Sequence, residues 1–357
     1  MMENIHIAIG IHDKNGTYSK YAATTLISVF ENLVDNNRDN VKVIVHILHD
    51  ETLLEINKQK FNDLIERYNG EIEFHKISLH DQGYDERMIS MFEVQLKRIT
   101  IGALFRLFIP SVCKNTDKII YLDTDILVNC DIRDLWNQDI NSQFAGVVLD
   151  DEYMRSLYVN TKYYKRAGLE VEKFFNSGVL LLNCRRINKK MDLLIKSLDL
   201  LSRYKKFADQ DILNILFKDN VKFLDKKFNI LVDSQTFSVN EIDEYLKTPS
   251  IIHFAGDLKP WNCHNKNIIK TYYRYLAKTP WGEKPNDLIE SMSTIAEENY
   301  SKMDLKNILF SKEKDNTLET LFILLLKSFF SNEYFFYIQK KLRYWKLHFL
   351  FNYLFKK

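Results

Sequence analysis

Short apolar, β-branched runs alternate along the first half of the chain with longer segments whose apolar residues recur every three or four positions. The order is Ile5–Ile9, Lys20–Leu33, Val41–Leu48, Thr52–Tyr68 and Ile72–Ile77. Short continuous apolar runs make buried strands, and the 3.6-residue period makes amphipathic helices. Alternation of the two predicts βαβ units and a mostly parallel, doubly wound sheet, because parallel strands are joined by a crossover that packs back on the sheet. A helical stretch over Ile99–Phe108, which Pro110 helps to end, precedes a strand at Lys118–Leu122. Strands at Phe144–Leu149 and Val179–Leu182 keep the same sheet growing, and short strands follow later at Val221–Leu224 and Ser250–Phe254. Helical patterns occupy Ile187–Tyr204 and Gln210–Phe217, and beyond Trp261 the strand signal fades. The segment from Pro280 to Pro285, PWGEKP, reads as a linker. One large α/β domain is therefore expected over 1–279 and a helical extension over 280–357.

Composition narrows the function classes. With 50 Lys and Arg against 48 Asp and Glu, the chain carries no overall charge signal for nucleic acid. Cys113, Cys130, Cys184 and Cys263 show no CxxC pair and no zinc-type spacing, so they are expected as buried thiols in a reducing compartment. The N-terminus lacks the pattern of a secretory signal, its first apolar run being only strand length. Leu318–Phe330 contains Glu319 and Lys327 and is shorter than the roughly 20 residues of a membrane span. A cytoplasmic protein is expected.

Chemistry enters at residues 119–128, IIYLDTDILV, where an apolar strand delivers Asp123 and Asp125 at positions i and i+2. In an extended chain these carboxylates project to the same side and can share one hard cation, Mn²⁺ or Mg²⁺, leaving sites for water and substrate phosphates. The competing reading is a solvated turn in which Asp123 caps the strand end. Residues 253–261, HFAGDLKPW, follow another apolar run. His253 is a further metal-ligand candidate, Gly256 allows close backbone approach to a phosphate, and Lys259 supplies a positive point charge. Alternatively, His253 is a structural hydrogen bonder and Lys-Pro-Trp a packed turn.

These two motifs, together with FNSGVLLLNCRR at 175–186 and ADQDILN at 208–214, resemble the family 8 glycosyltransferases in content and order over roughly residues 4–265. The resemblance implies an α/β GT-A fold, Rossmann-like, with a mixed, mostly parallel sheet and flanking helices. It implies a retaining enzyme that uses a UDP-sugar and Mn²⁺ and acts on a glycan, glycolipid or glycoprotein acceptor. It places the metal on Asp123, Asp125 and His253, with Thr124 between the two acids, and the diphosphate on Gly256 and Lys259. It places Arg106 on donor oxygens and Asp150, Asn176, Asp209 and Gln210 around the transferred sugar. Asn176 as a turn cap and Asp209 as a helix N-cap are the plainer readings of those two residues. The N-terminal run from Ala8 to Tyr18 is longer than the commoner family pattern; Ala8, Asp13 and Tyr18 are the candidates for holding the base.

Retention requires attack from the leaving group's own face or two inversions through a covalent intermediate. Gln210 lies where the family analogy puts a nucleophile, but a neutral amide is a poor one. Same-face attack is favoured, with Asp150 and Asp209 as alternative nucleophiles. Two other classes compete: a haloacid-dehalogenase-like phosphatase, against which Leu127 stands where that motif carries Thr, and a non-catalytic nucleotide-sugar-binding protein. The tail from Asn332 to Lys357 interleaves aromatics with Lys340, Lys341, Arg343, Lys346, Lys356 and Lys357. Such a tail suits a headgroup layer of anionic lipid, as in several bacterial relatives with similar tails, or packing within a homo-oligomer. The expected location is the inner face of the cytoplasmic membrane.

Overall fold

The computed structural model describes residues 3–33, 41–78, 101–152, 155–156, 162–193, 196–197, 200, 209–232, 244–256, 259–261 and 266–282. The chain divides into two units, Met1–Leu288 and Ile289–Lys357, and all described residues belong to the first. The basic tail and the Leu318–Phe330 segment lie outside the described residues.

Strand β1 (Glu3–Ile11) buries Ile5, Ile7, Ile9 and Ile11 on one face and Ala8 on the other, where His6 is half-buried, as expected of a central parallel strand covered on both sides. It pairs in parallel with β2 (Val41–His49), from Glu3 opposite Val41 to Ile11 opposite His49, and β2 pairs in parallel with β3 (Glu71–Lys76). On its other side β1 pairs in parallel with β4 (Lys118–Leu122). Beyond β4 come β7 (Phe175–Asn183), β6 (Ala145–Leu149) and β8 (Val221–Phe223), giving the order β3-β2-β1-β4-β7-β6-β8. β7 runs antiparallel to both β4 and β6, while β8 returns parallel to β6. The mixed, mostly parallel α/β sheet expected from the sequence is present.

Helix α1 (Tyr18–Glu31) begins where Asp13 accepts the Tyr18 N–H at 2.7 Å, so a carboxylate upstream of the helix does the work of an N-cap. Its far end is tied down by Asn32, whose amide donates to the Ser28 and Val128 carbonyls and to the Tyr275 hydroxyl. Helix α2 (Glu55–Glu66) buries Phe61, Leu64 and Ile65. Trp281 packs on Phe61 with ring centroids 4.9 Å apart, so the first residues of the expected linker lie against α2. Helices α3 (Cys184–Lys190), α4 (Asp209–Phe217) and α5 (Lys266–Leu276) follow.

Two expectations need correction, and one strand takes a place the sequence left open. The Ser250–Phe254 run does not extend the main sheet. As β10 (Ile251–His253) it pairs antiparallel with β5 (Ile126–Val128) and parallel with β9 (Ile230–Leu231) in a separate three-stranded sheet. The cause is the turn at 123–125, which takes the chain out of the main sheet after β4. Pro110 does not end the preceding helical run. Ile101–Leu104 tightens to a 3₁₀ turn at Phe105–Phe108, and Pro110 falls in the first turn of the next short helix, Ile109–Val112, where its missing N–H is not needed. The predicted Ile187–Tyr204 helix starts earlier, at Cys184, where the Asn183 side chain accepts the Arg186 N–H, and α3 stops at Lys190 because Met191 is extended. Residues 201–204 lie outside the described residues.

Candidate active site

Asp123-Thr124-Asp125 is a turn between β4 and β5, not an extended tripeptide, so strand alternation is not what brings its carboxylates together. The turn is pinned from three sides. Thr25 Oγ1 of α1 donates to the Thr124 carbonyl at 3.1 Å and the Ile126 carbonyl at 2.9 Å. The Asp123 N–H donates to the Gly178 carbonyl of β7 at 2.9 Å, and the Phe254 N–H to the Asp125 carbonyl at 3.0 Å. Because β10 pairs with β5, His253 stands opposite Ile126. One ligand atom each from Asp123, Asp125 and His253 then lies within 4.8 Å of the others.

Each aspartate is held by one oxygen and presents the other. Asp123 Oδ1 accepts from Arg106 Nη2 and from the Tyr121 hydroxyl, both at 2.7 Å, leaving Oδ2 3.8 Å from His253 Nε2. Asp125 Oδ2 accepts from Lys259 Nζ at 2.5 Å, leaving Oδ1 3.3 Å from the same Nε2. Asp125 Oδ1 is buried and makes no hydrogen bond.

The tautomer of His253 follows from a chain of amides anchored by backbone donors, which cannot flip. The Gly178 N–H donates to Asn176 Oδ1 and the Ser177 N–H to Gln210 Oε1, fixing both side chains. Asn176 Oδ1 therefore accepts from Asn229 Nδ2 at 2.9 Å, which turns Asn229 Oδ1 toward His253 Nδ1 at 3.1 Å. Nδ1 is the donor there, and Nε2 faces the carboxylates. Two carboxylate oxygens and an imidazole nitrogen converging, with one oxygen buried and unsatisfied, make a donor set that fits a divalent cation. Gly178 makes the space, since a Cβ there would stand 2.1 Å from His253 Cε1 and 2.8 Å from Asp123 Oδ2.

Two cations, Arg106 and Lys259, stand among four carboxylates. The buried Arg106 guanidinium lies over the Tyr121 ring at 4.6 Å, donates to Ser177, and sits 3.1 Å from Asp209 Oδ2. Burial alone would lower its pKa, but Asp123 and Asp209 outweigh it and hold the cation firmly. Burial pushes Asp209 and Asp150 upward. Burial would also raise Asp125, yet His253 and Lys259 bring it well below the usual carboxylate range. Asp209 and Gln210 open α4, which Asn214 locks to β7 by bonding both the N–H and the carbonyl of Phe175. A bulge between Gly146 and Val148 shifts the pairing of β6 so that Val148 stands opposite Asn176. Asp150, just after β6, then accepts Gln210 Nε2 at 2.7 Å.

Arg106, Asp123, Thr124, Asp125, Asp150, Asn176, Asp209, Gln210, His253 and Lys259 thus meet in one constellation. Gly256 follows β10 in a half-buried loop. Ala8 is mid-strand in β1 with its side chain in the core. Asp13 is buried, accepting from Tyr18 N–H, Ser19 Oγ and Asn57 Nδ2. Tyr18 remains exposed and stands edge-on to Tyr21, which stacks on Trp261 at 3.6 Å. Sequence reasoning missed Asn229, Ser177, Gly178, Tyr121 and Asn214. Ser177, Gly178 and Asn214 lie inside motifs it quoted, whereas Asn229 had no motif to mark it.

Among the described residues, no helix is long and apolar enough to cross a membrane. The chain is 28% identical over 266 residues to a putative glycosyltransferase of Haemophilus influenzae, covering 71% of this chain and 74% of that protein. It is 28% identical over 243 residues to the lipopolysaccharide 1,3-galactosyltransferase of Salmonella typhimurium, covering 63% and 66%. Its fold matches that of the galactosyltransferase LgtC, solved in complex with donor and acceptor sugar analogs, with a TM-score of 0.60 at 22% identity over 80% of this chain and 98% of that one. This is the GT-A arrangement. The model of glycosyl transferase family 8 matches residues 8–265, a span that contains the whole Asp-Asp-His constellation, and the chain belongs to that family.

Proposed function

We propose that the enzyme transfers glucose or galactose from a UDP-sugar to a bacterial cell-surface glycan or glycolipid, with retention and with Mn²⁺ held by Asp123, Asp125 and His253. The observation that carries this reading is the convergence of Asp123 Oδ2, Asp125 Oδ1 and His253 Nε2 beside the Lys259 ammonium. A bound divalent ion would offset the charge that develops on the departing diphosphate. Lys259, whose side chain is partly exposed, can turn part of its charge from Asp125 to that diphosphate. Arg106, its nitrogens engaged by Asp123, Asp209, Ser177 and Ala103, acts as a positioning residue that keeps Asp123 oriented.

Gln210 is committed at both ends, its oxygen to Asn176 and Ser177 and its nitrogen to Asp150. That engagement supports same-face attack, with a diphosphate oxygen taking the acceptor's proton, over a nucleophilic amide. A lipid-linked acceptor is favoured by the basic, aromatic sequence of 332–357 and by the lipopolysaccharide named for the Salmonella relative. The test is a donor screen that scores metal-dependent UDP release with and without acceptor sugars. Release from UDP-glucose or UDP-galactose that rises with Mn²⁺ is expected. Undiminished turnover in chelator, with metal shown to be absent, overturns the metal assignment.

A further inference from the structure

Three adjacent parallel strands carry a row of imidazoles that the transfer chemistry does not use. His6 on β1, His46 on β2 and His75 on β3 stack with successive ring centroids 5.2 Å apart. His6 Nδ1 lies 2.9 Å from His46 Nε2, and His46 Nδ1 lies 2.9 Å from His75 Nε2. Beside this row is Cys113, in the turn that closes the Ile109–Val112 helix, with Sγ 3.9 Å from His75 Nε2. Glu73 completes the surround, its Oε2 3.4 Å from His46 Nδ1 and 3.5 Å from His75 Nε2. Atoms of His46, His75 and Cys113 all lie within 4.8 Å of one another.

We propose that His46, His75 and Cys113, with the Glu73 carboxylate on the open side, form a Zn²⁺ site that clamps edge strand β3 to the sheet. Tetrahedral zinc with bonds of about 2.0–2.3 Å sets its ligand atoms roughly 3.3–3.7 Å apart; the spacings from His75 Nε2, 2.9 Å to His46, 3.5 Å to Glu73 and 3.9 Å to Cys113, lie close to that, while the Glu73 carboxylate must swing toward Cys113 to complete the set. Two imidazoles and a thiolate are borderline-soft donors that select Zn²⁺ over Mn²⁺ or Mg²⁺, the reverse of the oxygen-rich set at Asp123 and Asp125. His6 supplies the outer partner that a metal-bound imidazole needs. With His46 donating Nε2–H to His6 Nδ1, its Nδ1 lone pair turns toward the cluster. On binding, the Cys113 thiol gives its proton to water and the sulfur–zinc bond forms. The four cysteines carry no sequence spacing that announces this site, because its ligands come from two strands and a distant turn.

The competing arrangement is a neutral, hydrogen-bonded histidine ladder without metal, and cobalt distinguishes the two. The full chain, stripped by chelator and held in excess Mg²⁺, is titrated with Co²⁺. The clamp gives visible d–d bands together with a near-ultraviolet thiolate-to-cobalt band that saturates at one equivalent and disappears on adding Zn²⁺. The Asp-Asp-His site has no sulfur and cannot produce that band. Cys113→Ser abolishes the thiolate band and His75→Ala weakens Co²⁺ binding at this site, while Cys130→Ser and Cys263→Ser retain both. Zn²⁺ raises the Tm of the wild-type chain but not of Cys113→Ser. If wild-type protein gives no thiolate band, or the band persists in Cys113→Ser, the clamp is refuted. The wild-type titration decides the matter even where a variant fails to fold.

Discussion

The two buried histidine clusters solve the same problem in opposite ways. His253 sits among charges, and each aspartate beside it spends one oxygen on a cation, Arg106 for Asp123 and Lys259 for Asp125. His46 sits among imidazoles and a thiol, with a single carboxylate, Glu73, on the exposed side. Burial, together with the neighbouring His75 and His6, pushes its pKa down to about 3, so the ring is neutral in ordinary conditions. A buried histidine thus takes its character from its company. Paired opposite charges keep a site hard and ionic, whereas neutral donors make it soft and uncharged.

The comparison breaks most sharply at the ionic cluster. Asp125→Asn keeps the size and the Lys259 contact but removes the charge facing His253, and UDP release should fall by about 100-fold or more with the fold intact by circular dichroism. Gly178→Ala should approach the same loss from the steric side. Its new Cβ must displace His253, at a further cost of about 1–3 kcal/mol in denaturant unfolding. Asn229→Ala leaves the metal ligands in place but frees the His253 ring, and should raise the metal concentration for half-maximal activity by about 10–100-fold.

Lys259→Ala should weaken UDP binding by about 10-fold in calorimetry and change uridine binding little, because only the diphosphate meets the ammonium. The mildest test in the working pH range belongs to the histidine row. With metal removed, unfolded His46 takes a proton near 6.5 while the folded ring resists until about 3. Stability that is complete above pH 6.5 should therefore drain away as pH falls toward 3, by about 1.4 kcal/mol per unit from this residue at most. Urea unfolding at pH 7.5 and 5.5 should show that loss, and His46→Gln should reduce it.

The sequence made the first cluster legible and hid the second. Asp123, Asp125, His253 and Lys259 sit in short motifs at strand ends, where apolar runs stop and chemistry begins, so local pattern sufficed. Strands β1 to β3 were equally plain from their apolar runs. Strand β9, only Ile230–Leu231, was too short to announce itself. The departure of β5 from the main sheet depends on a turn whose geometry no period encodes. Asn229 orients His253 but has no neighbour in sequence to mark it. His6, His46 and His75 occupy unremarkable strand positions, and only the pairing of β1, β2 and β3 brings them into one row.

The small β5-β10-β9 sheet works as a gauge. His253 is placed by pairing across from Ile126, one residue beyond Asp125, and by the Asn129 N–H bonding the Ser250 carbonyl at 2.7 Å. Its position is thus set by ladder hydrogen bonds rather than by the length of chain that delivers it. A one-residue slip of β10 against β5 would turn His253 to the other face of its strand. The metal geometry is therefore kept so long as the pairing itself survives.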